Sequence, residues 1–172
     1  MSVDLASLVR DVPDHPRPGI VFKDLTPLLA DAKAFREAVD RLAAPYAPGT
    51  VDTVAGIEAR GFLLAGPVAY LLGAGVVPVR KPGKLPGAVH ERSYDLEYGS
   101  STLAVHRDAF VPGERVLVVD DVLATGGTAA AAGHLVEHCG ATLVGVAVLL
   151  ELGFLDGRAA LPGRAVHAVL TA

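Results

Sequence analysis

The most restrictive feature of this chain is a set of short aliphatic runs separated by helix-length stretches. Residues 143–150 contain only Leu, Val, Ala and Gly, and residues 116–119 only Val and Leu. A strand with one wet face alternates polar and apolar residues, whereas a strand covered on both faces has no reason to. Both runs therefore predict inner strands of a sheet with helices on each side. Residues 51–55 and 76–79 read as two further strands. Helices are expected over residues 62–72, where Gly66-Pro67 interrupts the pattern, and over residues 128–139. This alternation predicts an α/β fold with a central parallel sheet flanked by helices. A length of 172 residues suits one domain, and a hydrophobic content of 51% can close a core without disulfides. Aromatics make up 5% and tryptophan is absent, so Val, Leu and Ala must fill that core.

The remaining segments are read in the same way. Residues 1–11 form a short amphipathic pattern, with Leu5, Leu8 and Val9 on one helical face. Pro13, Pro16 and Pro18 then rule out regular helix and stiffen the path. Asp31 is placed to cap a helix carrying Phe35, Val39, Leu42 and Tyr46, with Pro48-Gly49 at its end. Residues 81–93 hold two Pro-Gly pairs and few core residues, which predicts a long loop of the kind used as a lid or binding segment. Tyr94 to Tyr98 alternates as a strand does. Residues 101–106 are its expected hairpin partner across Gly99-Ser100.

Several functions are disfavoured. The formal net charge is −4 and no basic face appears, so nucleic-acid binding is not expected. The most apolar run, residues 141–150, meets Glu151 well short of the roughly 20 residues a membrane helix needs, so no membrane partner is expected. Cys139 is the single cysteine, and Met1-Ser2-Val3-Asp4 carries no basic-then-apolar leader. A cytoplasmic location is expected.

The chemistry concentrates in Val116-Leu-Val-Val-Asp120-Asp121-Val122-Leu123-Ala124-Thr125-Gly126-Gly127-Thr128. An apolar strand runs into paired acids, then a small-residue turn, then a helix. The turn can present several backbone N–H groups, and the helix adds its positive end, so a phosphate monoester fits there. Adjacent carboxylates would repel bare phosphate. As acceptors for sugar hydroxyls, directly or through Mg2+, they fit a ribose attached to it. Neither a GxxxxGK[ST] loop nor a GxGxxG turn occurs.

This segment resembles the phosphoribosyl-pyrophosphate signature of type I phosphoribosyltransferases. Four others narrow the resemblance to the adenine phosphoribosyltransferases: Pro16-Arg-Pro-Gly-Ile-Val-Phe22-Lys-Asp24, Gly56-Ile-Glu-Ala-Arg60-Gly-Phe62, Val79-Arg80-Lys81-Pro-Gly-Lys84-Leu85-Pro86 and Ser93-Tyr-Asp-Leu-Glu97-Tyr98-Gly99. They stand in the family's order from about Val12 to Leu161.

The resemblance implies a pentosyl transfer of purine salvage: adenine plus 5-phosphoribosyl-1-pyrophosphate giving AMP and pyrophosphate. It places the ribose 5-phosphate on Asp120, Asp121, Ala124, Thr125, Gly126, Gly127 and Thr128. Pyrophosphate would meet Glu58, Ala59, Arg60, Arg80, Lys81 and Lys84, with a cis Glu58–Ala59 peptide. Adenine would lie among Val21, Phe22, Lys23 and Leu152; Lys23 stands where the family often has arginine. Glu97 would handle the adenine proton, with Arg60 and Lys84 as further catalytic groups. Residues 81–93 would form a mobile lid, and the N- and C-terminal segments a small hood on one domain spanning residues 1–172. Mg2+ would be held through substrate rather than by a protein cage, and the protein would be a homodimer. Two alternatives stand beside this: a 6-oxopurine substrate, and a regulator that binds the sugar phosphate without catalysis. The Gly-Ile-Val-Phe-Lys-Asp and Glu-Ala-Arg-Gly stretches disfavour the first, and the lack of a DNA-binding pattern the second. His134 and His138 share a helical face but lack a third ligand, so they read as a solvated face, and Cys139 as packing.

Overall fold

The computed structural model describes residues 3–96 and 99–172. In chain order, its strands and α-helices begin with β1 (Arg10–Pro13), β2 (Val21–Asp24), α1 (Thr26–Ala30), α2 (Ala32–Ala43) and β3 (Thr53–Ile57). Then come α3 (Gly61–Leu72), β4 (Gly75–Val79), β5 (Val89–Asp95) and β6 (Ser100–His106). The chain continues with β7 (Arg115–Leu123), α4 (Gly127–His138), β8 (Thr142–Glu151) and β9 (Val166–Thr171). The central sheet has the order β4-β3-β7-β8-β9, and every pairing in it is parallel. Two antiparallel pairs, β1–β2 and β5–β6, lie outside it.

The aliphatic runs are inner strands for the reason their composition suggests. In β7, Leu117 and Val119 face one core, with Leu42, Leu64 and Val68 of α2 and α3. Val116 and Val118 face the other, with Ala132, Leu135 and Val136 of α4. Ala147 and Leu149 divide from Val146 and Val148 of β8 in the same way. Alternate residues thus serve opposite cores, and both must be apolar. Asp31 caps α2, its Oδ1 accepting from the amides of Lys33 and Ala34 at 2.9 Å each. Pro67 lies inside α3, where burial of Leu64, Ala65, Val68 and Ala69 on one side holds the helix together.

The structure departs from the sequence reading at several places. Of the segment read as a helix over residues 1–11, the described residues 3–11 form none: a 3-10 turn at Ala6–Leu8 leads into β1. The apolar face was legible all the same, because Leu5 is buried and Leu8 and Val9 pack on the core. α2 ends at Ala43, before Pro48-Gly49, and Tyr46 packs from beyond its end. β2, α1 and β9 were not anticipated. The hairpin strand begins at Val89, because Val89–Asp95 pairs residue for residue with Ser100–His106. Residues 89–93, read as loop, are therefore strand. β7 runs on to Leu123, so Asp120 and Asp121 sit within the strand instead of after it.

Candidate active site

A cleft of about 1030 Å3 opens at the carboxyl ends of the inner strands, the usual ligand position in a parallel α/β sheet. Its walls include Asp120 and Asp121 of β7, Ala124 and Thr128 of the following turn, and Glu58, Ala59 and Arg60 after β3. Val21, Phe22 and Lys23 of β2 and Leu152 after β8 complete the list of expected residues that line it. Segments far apart in the chain are therefore gathered at one opening.

Both acids are buried, and they differ in their partners. Asp121 accepts a hydrogen bond from Arg60 Nε and pairs with that guanidinium. Asp120 Oδ1 accepts from the Asp121 amide at 2.8 Å. Burial first, and then the neighbouring Asp121 charge, push the Asp120 carboxyl well above the usual carboxylate range. Polar atoms at this floor are thus held ready for hydroxyl groups, one acid ion-paired and the other favouring its proton.

The turn after β7 has the form expected of a phosphate cradle. Gly126 has φ 84°, and a Cβ there would lie 2.1 Å from the Gly157 carbonyl oxygen, so only glycine fits. Among the described residues, no protein acceptor takes the amides of Thr125, Gly126, Gly127 or Thr128. The first turn of α4 adds its positive end. Thr125, Gly126 and Gly127 do not line the cleft wall themselves but belong to the same turn as Ala124 and Thr128, which do.

The basic residues are arranged less directly. The Glu58–Ala59 peptide is cis, as is His15–Pro16. Glu58 organises the start of the next loop: its Oε2 accepts from Arg80 Nε at 3.1 Å and from the Lys81 amide at 2.8 Å. Arg80 Nη1 donates to the Lys84 carbonyl at 3.2 Å. Lys81 Nζ donates to Ser101 Oγ at 2.7 Å, and Lys84 is exposed. Arg80, Lys81 and Lys84 do not line the cleft, whereas Arg60 does. On the opposite wall, the Arg60 guanidinium carbon sits 5.7 Å from the Phe22 ring centroid, and the His15 ring meets Phe22 edge-on at 5.1 Å.

Comparison with known proteins reaches the same place. The phosphoribosyl transferase domain family matches residues 28–160. A relative from Salinispora arenicola, named adenine phosphoribosyltransferase, is 60% identical over 167 residues, covering 97% of this chain and 89% of its own. The adenine phosphoribosyltransferase structure from Rhodothermus marinus gives a TM-score of 0.92 at 50% identity, covering 98% of this chain and 96% of its own. The chain belongs to the adenine phosphoribosyltransferase family. The Saccharomyces cerevisiae member of that family, solved with D-2,5-dideoxy-2,5-imino-altritol 1,6-bisphosphate and adenine, gives a TM-score of 0.90 at 39% identity over 97% of each chain.

The site residues expected from the adenine phosphoribosyltransferase resemblance are not the only ones at the opening. Asp11, Ile20, Phe154 and Leu155 also line it. Asp11 receives a hydrogen bond from Lys23 Nζ at 2.7 Å, so the lysine that replaces the frequent arginine is engaged with its neighbouring strand. Ile20 adjoins the Val21-Phe22-Lys23 stretch, and Phe154 and Leu155 lie just past Leu152; that adjacency was the signal available. Asp11 had none, because its position depends on the β1–β2 register, which sets it opposite Lys23. Glu97, the expected proton-handling acid, and Tyr98 lie outside the described residues. The described residues contain no helix long and apolar enough to cross a membrane.

Proposed function

We propose that this cleft binds 5-phosphoribosyl-1-pyrophosphate and adenine together, and that the residues gathered there carry out the transfer giving AMP and pyrophosphate. One observation carries the reading: buried paired acids, a turn with unengaged amides and an apolar β2 wall share a single opening. The 5′-phosphate occupies the 124–128 turn, and Asp120 and Asp121 accept from the ribose hydroxyls. Adenine lies between Phe22 and Leu152, with backbone groups of Val21 and Lys23 reading its edge. In the reaction the C1′–O bond to pyrophosphate breaks as adenine N9 bonds to C1′. The N9 proton passes to Glu97. Arg60, Arg80, Lys81 and Lys84 meet the charge that develops on the leaving pyrophosphate. The segment 81–93 closes over the oxocarbenium-like centre and keeps water from it. The hood that covers the base comes from the terminal segments.

The donor set suits Mg2+ carried by the substrate. Asp11, Glu58 and Asp121 are each paired to a base, and no cluster of three or more metal-ligating side chains occurs among the described residues. Carried by the substrate, the ion would supply positive charge against the leaving pyrophosphate. The protein acts in the cytoplasm as a homodimer. The deciding assay supplies each purine base with 5-phosphoribosyl-1-pyrophosphate and Mg2+. AMP and pyrophosphate are expected with adenine only. A preference for hypoxanthine, guanine or xanthine defeats the base assignment, and absence of pyrophosphate release with every base defeats the catalytic one.

A further inference from the structure

Tyr94 stands between the two groups of residues that the proposed reaction assigns to opposite ends of the sugar substrate. Its hydroxyl accepts from Thr128 Oγ1 at 3.0 Å, on the side of the phosphate turn. It also accepts from Lys81 Nζ at 3.4 Å, on the pyrophosphate side. The same ammonium donates to Ser101 Oγ at 2.7 Å and lies 5.8 Å from the Tyr94 ring centroid. The ring is packed in place as well: a Cβ on Gly127 would lie 3.1 Å from Tyr94 Cδ2. Burial pushes the phenol up, but hydrogen bonding with Ser101, Thr128 and Lys81 outweighs it and leaves the group below its ordinary range.

We propose that Tyr94 couples the two ends of the sugar-substrate site, so that phosphate on the 124–128 turn tightens pyrophosphate binding at Lys81. This role rests on the placement of the two ligands given above. A phosphate oxygen that takes the Thr128 hydroxyl proton in a hydrogen bond frees the Thr128 oxygen to accept. The Tyr94 hydroxyl then donates to it, forming a relay from phenol through Thr128 to phosphate. A phenol that donates into such a chain is a stronger acceptor for the Lys81 ammonium. Lysine has three N–H donors. With one fixed by Ser101 and one by Tyr94, the third is free for pyrophosphate on a side chain whose rotamers are already restricted. The partners of Lys81 are neutral hydroxyls, and no carboxylate among the described residues pairs with it. Its charge is therefore available to an anion.

Linkage makes the effect reciprocal and measurable. Calorimetric titration of pyrophosphate in Mg2+ is carried out with and without saturating ribose 5-phosphate. In the wild type the ribose 5-phosphate should lower the pyrophosphate Kd about fivefold or more. Tyr94→Phe keeps the ring on Gly127 and Lys81, and should keep the wild-type Tm while bringing that ratio to about one. Thr128→Val should do the same, whereas Thr128→Ser should retain the ratio. A wild-type ratio near one, or an unchanged ratio in Tyr94→Phe, overturns the coupling. If Lys81→Ala binds pyrophosphate and Thr128→Val binds ribose 5-phosphate as tightly as the wild type, the ligand placement itself is wrong, and the coupling falls with it.

Discussion

Asp120 is more readily protonated in the folded chain than in the unfolded one, because burial and Asp121 both act against its charge. A carboxyl with a raised folded pKa favours folding when protonated. Stability is therefore lost as pH rises from the ordinary carboxylate range through the folded pKa. Asp120→Asn keeps an oxygen for the Asp121 amide and removes the ionisation. At pH 7 the variant should melt a few degrees above the wild type, with the gap closing as the pH is lowered toward the ordinary range. Turnover should fall, since in the proposed site this acid accepts from the ribose hydroxyls. Equal melting at pH 7 would show that the carboxylate carries no such cost. Asp121 differs because Arg60 compensates it. Asp121→Asn should leave the fold intact and raise the KM for 5-phosphoribosyl-1-pyrophosphate; unchanged kinetics would remove it from the ribose site. The two acids were legible in the sequence as a pair, since adjacent carboxylates after an apolar strand have few uses. Their division into an ion-paired and a proton-favouring member was not, because it depends on Arg60, 61 residues away in the chain from Asp121.

Among the connecting elements, the 124–128 turn is braced by a segment that no motif marks. Gly126 lies against the 3-10 turn Gly157–Ala160, and a Cβ on Gly157 would in turn meet the Ala124 carbonyl oxygen at 2.3 Å. That bracing turn is tied to the sheet by Arg158. Its Nε and Nη2 donate to Glu151 at 2.8 and 2.7 Å, and its Nη1 donates to the Val166 carbonyl at 3.0 Å. Hydrogen bonding from Arg158 holds the Glu151 carboxyl below its usual range. Stability from a lowered acid is present above its unfolded pKa and is lost as pH falls through the folded one. Arg158→Ala should therefore lower the Tm by several degrees at pH 7, and by progressively less below the ordinary glutamate range. It should also raise the KM for the sugar substrate without changing that for adenine. A wild-type KM together with a lowered Tm would limit Arg158 to stability. The inner strands were legible because burial on both faces removes polar residues, but β9 was not. Val166–Thr171 is half-exposed at the sheet edge, carries His167 and follows Pro162-Gly163, so its pattern resembles a tail. β1 and β2 were equally hidden: cross-strand pairs such as Arg10 with Asp24 and Lys23 with Asp11 hold them, and none of these is local in sequence.

On the scale of the whole molecule, the apolar surface left outside both cores is unevenly placed. Tyr70 is 86% exposed and Leu63 54%, both on α3, and Leu71 of the same helix and Val76 of β4 are also exposed. Among the described residues β4 pairs with β3 alone, at the sheet edge, and α3 packs beside it. The segment was legible as a helix, but its even distribution of apolar residues hid which of its sides is left exposed. In the proposed homodimer a second copy covers this side, and a twofold contact brings the same residues together from both chains. A charge placed at the centre of such a contact must be buried against its own image, which is unfavourable, while in a monomer it stays in water at little cost. Tyr70→Arg should therefore shift the mass measured by light scattering from twice 17.7 kDa to 17.7 kDa, with the Tm of the monomer falling as the covered apolar area is lost. A variant that keeps the doubled mass would place the contact elsewhere, and a wild type that is already monomeric would remove the homodimer from the proposal.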